Sequence, residues 1–170
     1  SNVPHNMFDS RFDASAAESL STKPAAQASY RDVYAQAFQP TENNKPYQRF
    51  YYQLQAEVDK HIGRVLNEVK RSDKQFQRDT VIIFLSDHGE LLGSHGGLHQ
   101  KWHCAYDEMV KVPFIISNPA MFPNPQDTDI LTSHADLLPT MLGLAGINEK
   151  AVRAKLRRSH TQVRPLVGTD

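Results

Sequence analysis

The chain has little of several things that would narrow its function at once. It holds one cysteine, Cys104, among 170 residues. A single thiol excludes an internal disulfide and any zinc site built from several cysteines. Its 19 Lys and Arg balance 19 Asp and Glu, so net charge is zero with neutral histidine. With no basic excess to track phosphates, nucleic acid and anionic membrane are excluded as main partners. No apolar run approaches the roughly 20 residues that a membrane span requires. The N-terminus is polar and lacks the charged-then-apolar pattern of a signal peptide. A segment that starts inside a longer protein reads the same way, so localisation stays unknown. Hydrophobic residues make up 39%, enough for one compact domain or part of a larger one.

Residues 1–45 read as irregular. Pro4, Pro24 and Pro40 interrupt them, and long stretches without periodicity are uncommon inside compact domains. A short helix over 28–38 is the exception, from the spacing of Tyr30, Val33, Tyr34 and Ala37. The core is expected over 46–148. It opens on a helix over 46–71, with Pro46 in the first turn and Phe50, Leu54, Val58, Ile62, Val65 and Val69 forming one apolar stripe. Gly63 interrupts that stripe and predicts close packing against a neighbour. Two apolar runs, 80–85 and 112–117, show no alternation, the pattern of strands buried on both faces in a parallel sheet. Short helices are expected at Leu91-Leu92 and over 106–110. Ser133 is a candidate N-cap for a helix ending near Gly146. A basic helix over 149–158 and a tail complete the third region, 149–170. This order predicts an α/β fold with a mostly parallel sheet flanked by helices. Two strands alone do not make such a sheet, so the chain reads as a piece of a larger fold, or one that borrows strands.

The chemistry concentrates in TVIIFLSDHGELLGSHGGLHQKWHCAYDE, which carries four of the eight histidines. Ligands in open α/β sheets bind beyond the carboxyl ends of strands. Asp87 and His88 follow the first apolar run directly and are candidate metal ligands. Asp favours hard cations such as calcium or magnesium, and His shifts preference toward manganese or zinc. An ordinary capped turn is the alternative for a bare Asp-His-Gly. His99, Lys101 and His103 alternate, which in an extended segment places all three on one side. They are candidate catalytic residues, a cradle for a tetrahedral oxyanion with a histidine to protonate a leaving oxygen. Solvated loop residues are the alternative. His95 reads as structural among glycines. Cys104 reads as a small hydrophobe rather than a nucleophile.

SDHGE, the glycine- and histidine-rich loop with its lysine, AYDEMVKVPFIISNP and SHADLLPTMLGLAGI occur in this order. Together they resemble the C-terminal half of sulfatases of the alkaline phosphatase superfamily, over roughly residues 47–147. The helical YYQLQAEVDKHIGRVLNEV resembles the helix before that family's metal-binding strand. The resemblance implies part of an alkaline phosphatase-like sandwich. It implies a divalent metal, calcium first and manganese as the alternative, with Asp87 and His88 matching two ligands; many relatives carry Asn at the position of His88. Lys101 lies near the position of the sulfate-contacting lysine, but its spacing to Tyr106 is one residue longer than the family pattern, which implies a local insertion or a shifted role, with His103 a candidate to share the contact. The other metal carboxylates and the formylglycine nucleophile, made in a C/S-x-P-S/A-x-R motif, have no counterpart here; Cys104 precedes Ala-Tyr-Asp-Glu and does not fit.

The resemblance therefore implies a sulfatase fragment that lacks the nucleophile-bearing N-terminal half. The parent would hydrolyse small-molecule sulfate esters, and the fragment alone would be inactive and prone to self-association through open sheet edges. Two alternatives stand beside it. One is a phosphodiesterase, phosphonate monoester hydrolase or phosphotransferase of the same superfamily. The other is a non-catalytic metal-binding or structural domain.

Overall fold

The computed structural model describes Ser15 and residues 17–34, 44–101 and 104–160. The end of the expected 28–38 helix and His103 lie outside the described residues. The chain divides into two units, Ser1–Asn124 and Pro125–Asp170.

In the first unit, a turn at Leu20–Thr22 leads into α1, Ala25–Ser29, which continues as a wider helical turn over Tyr30–Tyr34. Helix α2 spans Asn44–Arg71. It begins two residues before Pro46, where a missing N–H costs nothing, and Lys70 and Arg71 complement the dipole at its end. The expected stripe is present, but Phe50, Leu54, Val58 and Val65 remain exposed. The packing expected at Gly63 does not occur among the described residues: a Cβ there would meet nothing within 4 Å. Gly63→Ala is therefore expected to stabilise the chain by about 1 kcal/mol, the helix-propensity difference, read as a higher urea midpoint.

A short helix that the apolar pattern did not signal, α3 at Lys74–Asp79, follows. It is too brief for a periodicity, yet Asp73 caps it by accepting from the Phe76 N–H at 2.8 Å. Strand β1 is Ile82–Leu85, helix α4 is Asp107–Val110 and strand β2 is Phe114–Ser117. Pro113 precedes β2 and donates nothing to it, as its missing N–H requires. Leu91 and Leu92 are in a buried turn rather than a helix.

The strands correct the sheet expectation. They pair antiparallel, Ile82 opposite Ser117 through Leu85 opposite Phe114, and among the described residues they form the whole of a two-stranded sheet. The intervening chain folds back instead of crossing over, and the Gly89 N–H still donates to the Met109 carbonyl at 2.8 Å beyond the strand ends. Uniform apolar runs report a preference for burial, not direction, so they cannot separate parallel from antiparallel pairing. Nor are the strands buried on both faces here: Phe84, Phe114 and Ile115 are exposed.

Asn118 ties the sheet together. It is 1% exposed. Its Nδ2 donates to the carbonyls of Arg78 at 2.7 Å and Thr80 at 2.9 Å. Its Oδ1 accepts from the N–H groups of Ala120 and Met121, both at 2.8 Å.

None of the residues in the buried cluster belongs to β1 or β2. Leu20 and Tyr30 from the N-terminal segment meet Leu91, Leu98 and Met109, with Ala28, Cys104 and Tyr106 against them. Buried Gln48 of α2 donates to the Leu92 carbonyl at 2.9 Å. The small core thus encloses the loop that follows β1.

The second unit holds two helices, α5 at Leu137–Leu144 and α6 at Glu149–Leu156. Ser133 and Asp136 form a capping box at the turn before α5. Pro139 falls in the first turn of α5, where it disturbs no intrahelical bond. Gly146 takes a left-handed φ of 68° just past the helix end. Asn148 caps α6 through the Ala151 N–H at 3.0 Å. Arg153 pairs with Glu149 at 3.2 Å.

Candidate functional site

Strand β1 ends at Leu85, and the chain turns immediately. Ser86 Oγ donates to the His88 carbonyl at 2.7 Å, and Asp87 Oδ1 accepts the His88 N–H at 3.0 Å. The turn brings Asp87 Oδ2 to 3.4 Å from His88 Nε2. Gly89 is required next to them, because a Cβ there would fall 1.7 Å from the Glu108 carbonyl oxygen.

His88 Nδ1 lies 2.8 Å from the Gly89 carbonyl. A carbonyl only accepts, so Nδ1 carries the proton and Nε2 presents its lone pair. Lys101 Nζ donates to that lone pair. Three predicted residues, Asp87, His88 and Lys101, thus meet at the end of β1. Asp87 is open to solvent and His88 is about one-third exposed.

The donors fit two adjacent positions around one divalent cation. Ligand bonds of about 2.0–2.5 Å spanning a 3.4 Å separation put one ion within reach of both. Two donors are an incomplete set, and no cluster of three or more His, Cys, Asp or Glu able to hold a metal occurs among the described residues. Asp87 is also suited by charge. Residual desolvation raises its pKa, but His88, the nearby backbone N–H groups and Lys101 outweigh it and leave the carboxyl below its ordinary 3.8.

Lys101 is placed by a carboxylate that sequence reading passed over. Glu90 Oε1 accepts from the Leu92 N–H at 3.2 Å and from the Gln100 N–H at 2.6 Å. One side chain therefore closes both ends of the loop between the metal-candidate pair and Lys101. The Leu91 N–H to Gln100 carbonyl bond, 3.1 Å, supports the same closure. Its only trace in the sequence was the acidic residue after Asp-His-Gly.

Among the described residues His99 makes no hydrogen bond or ring contact with Asp87, His88 or Lys101. It is 3% exposed, with Tyr47 edge-on at a centroid distance of 5.1 Å. Gln100 has φ 58°, so 99–101 is not extended and the alternation that placed His99 beside Lys101 does not apply. Burial depresses the His99 pKa from 6.5 to about 4. The ring is neutral at pH 7, and its buried Nδ1 has no hydrogen-bond partner among the described residues. A buried neutral histidine makes stability fall as pH drops from about 6.5 toward 4, where the unfolded chain binds the proton first. Cys104 is half-buried; burial raises its thiol pKa, Tyr106's backbone N–H lowers it and Glu108 raises it, for a net upward shift. That disfavours the thiolate a nucleophile needs.

A Sulfatase family profile matches residues 19–147, and the chain belongs to the sulfatase family. Similar proteins include the uncharacterized sulfatase YidJ of Escherichia coli, 37% identical over 60% of this chain and 19% of that protein. The Endo-4-O-sulfatase of Bacteroides thetaiotaomicron is 34% identical over 59% of this chain and 19% of its own length. The Choline-sulfatase of Rhizobium meliloti is 34% identical over 69% of this chain and 22% of its own. The chain spans about a fifth of the length of these curated relatives. No solved structure matches the chain. The family brings with it an α/β fold of the alkaline phosphatase type.

Proposed function

We propose that this chain is part of a sulfuric ester hydrolase and supplies one side of its metal and sulfate site. The observation that carries the reading is the meeting of Asp87 Oδ2, His88 Nε2 and Lys101 Nζ where β1 ends. Asp87 and His88 would hold a divalent cation, calcium first and manganese second, which when bound offsets negative charge on the ester oxygens. The remaining ligands and a formylglycine nucleophile belong to the parent, whose sheet would complete the alkaline phosphatase-like sandwich. Alone, this stretch has no nucleophile motif and does not turn over, and its uncovered strand edges favour self-association.

The residues present divide the work by charge. Asp87 stays anionic at neutral pH and is the hard ligand. His88 is held as the Nδ1–H tautomer by the Gly89 carbonyl, so its Nε2 accepts either an ammonium or a cation, one at a time. Lys101 supplies a mobile positive charge, restrained through Gln100 by Glu90, to a sulfate oxygen. His103 remains a candidate proton donor to the leaving alcohol, and His99 is a core histidine that would not share that task.

A phosphodiesterase or phosphonate monoester hydrolase of the same superfamily would use the same half-site. Assay of the parent protein separates them. With calcium or manganese supplied, aryl sulfate is expected to turn over with kcat/KM at least about a hundredfold above the matching phosphate monoester and diester. The opposite preference would replace sulfate by phosphate in this assignment. Activity toward none of these esters would remove the hydrolase reading.

A further inference from the structure

A second charged group takes no part in the Asp87 site. His95 lies between two carboxylates, with Nδ1 2.7 Å from Glu18 Oε2 and Nε2 3.0 Å from Glu108 Oε2. Its ring stacks on Tyr106, centroids 3.7 Å apart and planes 4° from parallel. Lys23 pairs with Glu18 at 3.2 Å and lies 5.7 Å from the Tyr106 ring centroid. Glu18 and Lys23 come from the N-terminal segment. Glu108 and Tyr106 come from α4 and the residue before it.

A neutral imidazole has one N–H and can satisfy one carboxylate only. Two carboxylate oxygens at hydrogen-bond distance from its two nitrogens call for the imidazolium. The titration shifts agree. Burial lowers the His95 pKa, but its hydrogen bonds to Glu18 and Glu108 and their charges raise it past 6.5. Glu18 is lowered from 4.5, through His95 first and Lys23 second.

We propose that Glu18, His95 and Glu108 form a proton-controlled latch that clamps residues 17–34 onto the loop carrying Lys101. Several contacts converge on that loop from the same segment. The Ser15 hydroxyl accepts the His95 N–H at 3.1 Å. Leu20 packs among Leu91, Leu98 and Met109. Tyr30 donates its hydroxyl to the His99 carbonyl at 3.1 Å, two residues before Lys101. Gly96 lets the strands of chain approach: its φ is 78°, and a Cβ would fall 2.5 Å from the Glu18 carbonyl oxygen.

The direction of the pH effect follows from the shifts. His95 binds its proton more tightly in the folded chain, so its contribution is complete below the ordinary 6.5 and is lost as pH rises through the elevated value. Glu18 acts oppositely, contributing above 4.5 and losing its share as pH falls through its lowered value. The latch is closed between these limits. On the alkaline side a neutral ring is left between two carboxylates, with Lys23 to hold one of them. This latch goes beyond the ester-hydrolase reading and does not depend on it.

Hydrogen exchange on the chain, corrected for intrinsic rates, tests it. Between about pH 6 and about pH 9 the amides of residues 20–33 are expected to lose protection, because the proton that His95 holds more tightly in the closed state is released over that range. In His95→Gln the same amides should show no such pH response. Protection that is independent of pH in the unmodified chain, or an equal response in the variant, overturns the latch. If His95→Gln does not fold, NMR titration of the His95 ring in the unmodified chain decides. A midpoint above 6.5 that drops in Glu18→Gln supports the latch; a midpoint at or below 6.5, or one that Glu18→Gln leaves unmoved, sinks it.

Discussion

Asp87→Ala in the parent protein is expected to lower kcat/KM toward its ester by about a thousandfold or more, roughly 4 kcal/mol of transition-state stabilisation. The carboxylate is the hard, anionic half of the proposed pair. Its Oδ2 faces the same space as His88 Nε2, and its pKa is depressed, so it needs no proton loss to bind at neutral pH. Removing it leaves one imidazole, which Lys101 occupies at once. The loss should appear in kcat as well as KM, because charge on the transferring group grows in the transition state. Metal content should fall in parallel. Lys101→Ala is expected to cost about a hundredfold with metal content retained, since the lysine faces the group to be transferred and is not itself a ligand. Near-normal activity in both variants would remove the site.

Asn118→Leu is expected to destabilise the chain by about 3 kcal/mol, among the larger single effects available here. The shape is nearly kept, but the Arg78 and Thr80 carbonyls and the Ala120 N–H lose their side-chain partner together, while the Met121 N–H keeps only its 3.2 Å bond to the Asn118 backbone carbonyl. A buried polar group without a partner costs more than the bond itself was worth. The four groups flank the start of β1 and the end of β2, so the two-stranded sheet opens from that side. Asn118→Asp keeps one acceptor oxygen but turns the other toward the Arg78 and Thr80 carbonyls in a buried position, and should cost at least as much. A drop in the urea midpoint with an unchanged slope reads the effect. A loss under about 1 kcal/mol in Asn118→Leu would mean that water replaces the side chain at little cost.

Helix ends were legible because caps are local chemistry. Ser133 and Gly146 could be read from their residue types and spacing, and α2 from its stripe. The direction of the strands was not. An apolar run states what a segment would bury, and neither Phe84 nor Ile115 finds cover here. Gly63 misled for the same reason, since its expected neighbour is not among the described residues. The position of Asp87 and His88 just beyond β1 was legible because a strand that stops at Asp-His-Gly fixes both backbones. Lys101 arrives there by another route than alternation: the loop closes on Glu90, and Gln100 takes a positive φ. That same turn carries His99 into the core. The pairing of His95 with Glu18, 77 residues away, left no local trace, because its partners meet only once Leu20 is buried against the loop.

The central claim is that Asp87 and His88 share one divalent cation at the end of β1. Anomalous scattering from crystals of the parent protein grown with manganese tests it most directly. The account predicts a peak within about 2.0–2.6 Å of both Asp87 Oδ2 and His88 Nε2, with Lys101 released from His88. A manganese site elsewhere, with Lys101 still bonded to His88 Nε2, would contradict it.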